Sequence, residues 1–326
     1  MAKKQKHQTS TLPWQGKGWR PEYKGLLPFE WVVLAYILFT SAIVLFTSTK
    51  MANPEAMIWG RIRVGTMTIA LWIVYRMLPC KLTMFMRVGA QMALLAWWYP
   101  DTFELNRLFP NLDHVLATWE QQLFGFQPAL IFARTFSSPI ISELMDCGYV
   151  SYFPMIATII LFYFFRRYDE FQRTVFVILA SFFTYYVIFD LVPVVGPTFY
   201  YKAIGLHNVA QGVFPNVHDY FNLHQDCLPS PGYVQGFFYD LVEDAKAAGE
   251  RPTAAFPSSH VGVATICMLF ACQAKNRTLL LSLLPFYVFL CMATVYIQAH
   301  YAIDVVAGFI TGVAFYFIFK WLYPQR

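Results

Sequence analysis

The sequence predicts an all-α membrane protein with several transmembrane helices. Of its 326 residues, 57% are hydrophobic and only 13% are charged, whereas soluble domains carry about 25% charged residues. Apolar segments recur along the chain, and each has about the 20 residues that a helix needs to cross the hydrocarbon core. The basic residues cluster at the ends of these segments, which indicates membrane orientation rather than a nucleic-acid partner.

Eight segments fit this description, and arginines lie in or near the second and third. Arginine near a helix end is expected to extend its side chain to the interface. The predicted spans are 28–47, 57–78, 82–100, 145–165, 171–194, 257–274, 278–298 and 302–322. Residues 101–144 are too polar to span cleanly and are expected to lie in the interface.

The segments divide the chain into three parts. A basic cytoplasmic segment covers residues 1–27, N-terminal transmembrane helices cover 28–100, and a transmembrane core covers 101–326. The core includes the loop 195–256, and loops of this length are usually functional or disordered. The candidate catalytic residues all lie in the core.

The distribution of positive charge predicts that both termini face the cytoplasm. With the N-terminus inside, sixteen of the 24 basic residues fall on inside segments, as the positive-inside rule requires. The loop 195–256 and the starts of the sixth and eighth spans then face the outer side, which is periplasmic or lumenal.

The eighth span opens with His300-Tyr-Ala-Ile-Asp304. Residues four apart share a helix face, so Asp304 is expected to accept a hydrogen bond from one ring nitrogen of His300. The other nitrogen is then free to act as a nucleophile. A His–Asp pair that only satisfies itself at a helix end is the alternative.

The sixth span opens with Pro257-Ser258-Ser259-His260. Serine caps helices, and a helix N-terminus offers backbone N–H groups to a phosphate. Ser258 or Ser259 is expected to add a hydroxyl donor, and His260 to give a proton to the leaving oxygen. An ordinary cap followed by a buried histidine is the alternative.

Together these motifs resemble the type 2 phosphatidic acid phosphatase superfamily. The stretch 256–260 resembles its second signature, and 294–304 resembles its third. The run 193–201 (Pro-Val-Val-Gly-Pro-Thr-Phe-Tyr-Tyr) and the tyrosine before the final His-Tyr-x-x-Asp resemble, more narrowly, the inositol phosphorylceramide synthase branch. The resemblance covers residues 100–322 and implies a six-helix catalytic core.

Two departures from the phosphatase pattern favour a phosphodiester substrate. The resemblance implies an arginine six residues before the nucleophilic histidine, where this chain has Thr294. It also implies a lysine where this chain has Asp244, and the Arg251-Pro252 pair lies too close to His260. A dianionic phosphate monoester needs several cations, whereas a phosphodiester carries one negative charge.

The resemblance also implies roles for the site residues. His300 forms a phosphohistidine, Asp304 orients it, and His260 protonates the departing diacylglycerol oxygen and then deprotonates the acceptor hydroxyl. No metal and no cofactor are needed. The substrate-binding candidates, each with an ordinary structural or surface role as the alternative, are Ser258, Ser259, Lys202, Lys246, Arg251, Tyr200, Tyr201 and Tyr301.

The motifs leave three functions open. The first is a transferase that moves a phospho-alcohol headgroup, above all phosphoinositol, from a glycerophospholipid to a ceramide-like acceptor, so that its partners are membrane lipids. The second is a phosphatase acting on phosphatidic acid or a polyprenyl diphosphate. The third is a transporter or scaffold with structural histidines. A less favoured idea is a divalent cation at His218, Asp219, His224 and Asp226.

Overall fold

The computed structural model describes residues 25–323, and its regular elements are all helical, as predicted. The predicted basic segment 1–27 lies almost entirely outside the described residues. The α-helices are α1 (Pro28–Thr47), α2 (Pro54–Met77), α3 (Lys81–Asn106), α4 (Asp113–Phe124), α5 (Pro128–Thr135), α6 (Pro139–Val150), α7 (Tyr152–Arg166), α8 (Tyr168–Leu191), α9 (Pro197–Ile204), α10 (Leu206–Ala210), α11 (Phe237–Gly249), α12 (Ser259–Gln273), α13 (Arg277–Tyr296) and α14 (Ala302–Leu322).

Five of these helices are long and apolar enough to cross a membrane, namely α1, α2, α8, α13 and α14. The predicted span 145–165 is instead a pair, α6 and α7, bent by 46°. The predicted span 257–274 is the shorter apolar helix α12 of 15 residues. The predicted span 82–100 lies within α3, which contains the polar residues Arg87 and Gln91 and is not among these five helices. All eight predicted segments are thus helical, but five, or six with the bent pair, qualify as spans within residues 25–323.

The buried arginines of α2 and α3 correct a prediction. Arg61 and Arg87 do not reach for the interface, because both side chains are buried and paired with acids. Arg61 donates to Asp101 Oδ2 at 2.7 Å, and Arg87 Nε donates to Glu30 Oε1 at 2.7 Å. A charge inside a membrane protein is tolerated when it is paired. The two pairs fix α1 and α2 against α3.

Helix α12 lies at the centre of the core, where it packs on α7, α8, α13 and α14. Its approach to α14 is close because glycines face each other. A Cβ on Gly312 would lie 2.5 Å from the Gly262 carbonyl oxygen, and one on Gly308 would lie 2.4 Å from that of Ser258. Glycines four apart allow helix backbones to approach closely in membranes. This contact fixes the start of α12 relative to α14.

Several helix ends meet at one end of the bundle, which we call the site end: α3, α8 and α13 finish there, and α12 and α14 begin there. The segments 101–144 and 195–256 cover it, and they contain helices α4, α5 and α9 to α11. Thr102 and Asn106 of α3 hydrogen-bond to Thr253 at 3.2 and 2.8 Å. The N-terminal helices therefore hold the loop that leads into α12.

Candidate active site

His300 lies in the turn between α13 and α14, not on a helix, because α14 begins at Ala302. Its backbone N–H donates to the Thr294 carbonyl at 2.9 Å, and its ring is buried. Nδ1 lies 2.7 Å from the carbonyl oxygen of Ala255. Asp304 Oδ2 is farther from Nδ1, at 3.6 Å. The prediction that Asp304 accepts the hydrogen bond from His300 is therefore wrong, and a backbone carbonyl takes that place.

Asp304 supports the turn in a different way. Its Oδ2 accepts a hydrogen bond from the backbone N–H of Tyr301 at 2.9 Å, which caps the first turn of α14. Its backbone carbonyl accepts from the N–H of Ser258 at 3.1 Å. Asp304 thus ties the start of α14 both to the histidine turn and to the start of α12.

His260 occupies the first turn of α12 and faces His300. Its Nδ1 lies 3.5 Å from His300 Nε2, and the ring centroids are 5.6 Å apart. Two tyrosines fix the His260 ring from the other sides, Tyr149 stacked at 5.0 Å and Tyr152 tilted at 4.5 Å between centroids. The structure therefore brings together the two histidines that the sequence singled out.

The environment of His300 keeps its ring neutral. Burial lowers the pKa of His300 to about 4, although the hydrogen bond to Ala255 and the charge of Glu250 oppose this shift. In the neutral ring Nδ1–H donates to the Ala255 carbonyl, so Nε2 carries the lone pair. That nitrogen is the one that faces His260, and it is available as a nucleophile.

Ser258 and Ser259 differ in their surroundings. Ser258 is fully buried at the N-cap, where its Oγ accepts from the N–H of Val261 at 3.4 Å. Ser259 is the first helical residue and is half-buried. The backbone N–H groups of a helix's first turn have no partner within the helix, so Ser259 and His260 offer the donors that a phosphate can meet. The Ser258 hydroxyl is already engaged.

The three tyrosines expected to line the interface are instead fully buried, with their hydroxyl groups bonded inside the protein. Tyr200 donates to the Pro215 carbonyl at 2.8 Å. Tyr201 donates to Gln127 Oε1 at 2.9 Å, and Tyr301 to Asp113 Oδ1 at 3.0 Å. Burial of a tyrosine requires such a partner. Their placement indicates that these tyrosines stabilise the fold of the site end.

The basic candidates are separated from the histidines or already paired. Lys202 is exposed and donates to the Cys227 carbonyl at 3.2 Å. Arg251 is also exposed. Lys246 is buried, and its ammonium lies 2.7 Å from Ser230 Oγ and 3.2 Å from Glu243 Oε1. Within residues 25–323 none of these three cations is left unpaired in the interior beside the histidines.

The sequence analysis did not identify two acidic residues of α4 that lie in the site. Asp113 is buried and accepts from the N–H groups of Val195 and Gly196 at 2.8 and 2.9 Å, as well as from Tyr301. Burial raises the pKa of Asp113, and these donors oppose the shift. Glu120 accepts from the N–H of Ala302 at 2.5 Å. The two carboxyl groups position the turns on both sides of His300.

Two further acidic groups, Asp146 and Glu250, were also missed. Asp146 is buried on α6, one turn before Tyr149. Glu250 follows α11 and acts electrostatically on His300. Among the described residues no group of three or more His, Cys, Asp or Glu side chains has the arrangement of a metal site, and this includes the region around His218 and Asp219.

A comparison with protein families identifies the family of this chain. A family model described as the PAP2 superfamily matches residues 114–318, which is more than half of the chain and contains both histidine motifs. The chain belongs to the PAP2 superfamily. Members generally act on phosphoesters, so the family supports a phosphatase or phosphotransferase acting on lipid phosphates in a multi-pass membrane protein. Searches of curated proteins and of solved structures returned no match.

Proposed function

We propose that the chain transfers a phospho-alcohol headgroup, phosphoinositol above all, from a glycerophospholipid to a ceramide-like acceptor. This places it in the inositol phosphorylceramide synthase-like branch of the PAP2 superfamily. The observation that carries the chemistry is the facing pair of rings, His300 Nε2 and His260 Nδ1, 3.5 Å apart. Because the two rings are in direct contact, we propose that the substrate's phosphate binds beside them, with its phosphorus facing the nucleophile His300 and its leaving oxygen facing the acid His260.

In the proposed first step, His300 Nε2 attacks the donor phosphorus. The bond between phosphorus and the diacylglycerol oxygen breaks, and His260 gives that oxygen a proton. Burial and the facing His300 disfavour the protonated ring of His260, and the bound phosphodiester anion is proposed to offset both effects. The products are diacylglycerol and a phosphohistidine that carries the headgroup. Asp304, 3.6 Å from Nδ1, stabilises the positive charge that develops on the ring.

In the second step, the acceptor hydroxyl loses its proton to His260 and its oxygen attacks the phosphorus. The bond to His300 breaks, and both histidines return to their starting state. The first-turn N–H groups of Ser259 and His260, with the Ser259 hydroxyl, hold the phosphoryl oxygens. The exposed Lys202 and Arg251 are proposed to act only at the rim, on the headgroup.

The charge of the site supports a phosphodiester rather than a phosphate monoester. The buried Lys246 is engaged by Glu243, and Thr294, at the position of the phosphatase arginine, hydrogen-bonds to its own helix through the Cys291 carbonyl. A dianion needs several free cations. A single negative charge is met by the first turn of α12 and a protonated His260.

The test identifies the product that receives the phosphorus of the donor lipid. Purified protein in detergent is incubated with phosphatidylinositol, phosphatidic acid and ceramide, and all phosphorus-containing products are measured. We expect phosphoinositol on ceramide, at least about 10³-fold reduced in His300→Ala, with unchanged helical content by circular dichroism. Thr158→Val is the control, because Thr158 is exposed and bonds only within its own helix. Free phosphate from phosphatidic acid, with ceramide untouched, would identify a phosphatase instead.

A further inference from the structure

An acidic cluster, formed by Asp146, Lys246 and Glu250, joins α6 to the end of α11, because the charges of both carboxyl groups act on Lys246. On its α6 side, Tyr149 lies one turn after Asp146 and stacks on His260. On its α11 side, Glu250 lies close enough to His300 for their charges to interact. Helices α6 and α11 pack directly on each other. The cluster therefore extends the candidate active site between these two helices.

Asp146 is the unusual member of the acidic cluster. Its side chain is 0% exposed, and neither carboxyl oxygen has a hydrogen-bond partner within residues 25–323. Buried polar groups in folded proteins are nearly always hydrogen-bonded, and an unpaired one is costly. Asp146 thus lacks the donors that such a group requires, and a bound molecule with hydroxyl groups would supply them.

Lys246 does not supply the missing hydrogen-bond donors to Asp146. Its ammonium is directed to the Ser230 hydroxyl at 2.7 Å, to the Leu228 carbonyl at 3.4 Å and to Glu243 at 3.2 Å. These three acceptors use the three N–H donors of a lysine. Its one positive charge is balanced by Glu243, which leaves Asp146 and Glu250 in excess, and Glu143 adds a further carboxyl group near Asp146.

Glu250 lies in an unfavourable position for a carboxylate. It is the C-cap residue of α11, and the C-terminal end of a helix repels negative charge. Burial raises the pKa of Glu250, while the charges of Lys246 and His300 lower it. Its charge also acts on the phenols of Tyr99 and Tyr149. A costly carboxyl group next to the nucleophile is typical of a functional site.

We propose that Asp146 and Glu250 bind the hydroxyl groups of a polyhydroxy headgroup and so determine which donor lipid is used. This inference rests on the proposed headgroup transfer. Carboxyl oxygens accept hydrogen bonds from several hydroxyl groups at once, whereas two excess carboxyl groups repel the second charge of a phosphate monoester. A site built to hydrogen-bond hydroxyl groups rejects analogues that lack them.

A cationic headgroup is the competing ligand, because carboxylates and aromatic rings also attract an ammonium group. The structure favours hydroxyl groups. Tyr149 and Tyr152 direct their rings to His260, so these ring faces are already occupied. Both oxygens of Asp146 lack a hydrogen-bond donor among the described residues, and a polyhydroxy headgroup supplies O–H donors that a quaternary ammonium group does not have.

The experiment compares donors with purified full-length protein and ceramide as acceptor. The donors are phosphatidylinositol, phosphatidylcholine and phosphatidylethanol, whose headgroup has neither hydroxyl nor charge, with phosphatidic acid as the phosphatase substrate. The variants are Glu250→Gln, Glu250→Ala and Asp146→Asn. The control is Asp244→Asn, an exposed carboxylate on the same helix α11. The readout is the ratio of kcat/KM for phosphatidylinositol to that for phosphatidylethanol.

We expect this ratio to fall about tenfold or more in Glu250→Ala. It should fall less in Glu250→Gln and in Asp146→Asn, each of which keeps one acceptor oxygen, and stay constant in Asp244→Asn. Unchanged ratios in an enzyme that transfers phosphoinositol would overturn the inference and leave the proposed function standing. A preference for phosphatidylcholine that is lost equally in Glu250→Gln and Glu250→Ala would overturn it in favour of a cationic headgroup. Phosphate release from phosphatidic acid alone would overturn both.

Discussion

At the scale of single residues, the neutral state of His300 determines how the site responds to acid. An exposed histidine has a pKa of about 6.5 and loses nucleophilic character below it. Burial lowers the pKa of His300 to about 4, so its Nε2 lone pair persists into mildly acidic solution. The negative charge of Glu250 raises the pKa of His300 and so offsets part of the effect of burial.

The first prediction concerns this pH dependence. In single-turnover release of diacylglycerol, with the bound anion keeping His260 protonated, we expect the rate to keep its plateau as pH falls from 7 to about 5. It should decline near pH 4, where His300 becomes protonated. In Glu250→Gln the decline should move to lower pH, because the neighbouring negative charge is gone. A decline centred near 6.5 would contradict the buried state of His300. Thermal melts at each pH check that the protein stays folded.

The sequence predicted the two histidines of the site but not the acidic residues around them. His260 and His300 were found because each stands in a short motif at the start of an apolar segment. Asp113 and Glu250 were missed because their contacts join positions far apart in the chain, as between Asp113 and Gly196, and no local pattern marks them. The prediction of a His300–Asp304 hydrogen bond was wrong because α14 begins two residues after His300, so the two residues do not share a helix face.

At the scale of helices, the close contact between α12 and α14 holds the two histidines together. Gly308 and Gly312 lie against the Ser258 and Gly262 carbonyl oxygens, so the first turns of α12 and α14 meet without an intervening side chain. The sequence predicted both helices, but it did not predict which pair of faces would touch, because apolar residues surround both helices.

The second prediction tests this contact. Gly312→Ala places a Cβ 2.5 Å from a backbone oxygen, so α12 and α14 must separate. We expect a loss of about 1–3 kcal/mol in stability and a large loss of transfer activity, measured as Tm in detergent and as product formed. Gly65→Ala on α2 is the matched control, since nothing lies within 4 Å of its Cβ, and alanine there should leave stability equal or higher by up to about 1 kcal/mol. Equal behaviour of the two variants would refute the close packing.

At the scale of the whole molecule, the helices place every part of the candidate site at one end of the bundle. Positive charge in the sequence predicts that this end faces outward, and the orientation stays a prediction. A position at each end provides the test. Cys227 lies in the cover of the site end, and Lys275 lies exposed in the short turn between α12 and α13 at the opposite end.

The third prediction uses a membrane-impermeant thiol reagent on intact cells, with each position as the single cysteine. We expect Cys227 to be labelled without permeabilisation, and Lys275→Cys only after it. Burial raises the pKa of the Cys227 thiol, so labelling should be done in mildly alkaline buffer, where more thiolate is present. The reverse pattern would show that the site faces the cytoplasm.

The buried ion pairs of the N-terminal helices have a consequence for how the chain is made. Helix α3 carries Arg87 and Asp101, whose transfer into lipid without partners is costly. Their partners, Glu30 on α1 and Arg61 on α2, are synthesised earlier. We therefore expect α3 to enter the bilayer stably only once α1 and α2 are in place. Because Thr102 and Asn106 of α3 hydrogen-bond to Thr253, we expect the loop that leads into α12 to be fixed after these helices have packed.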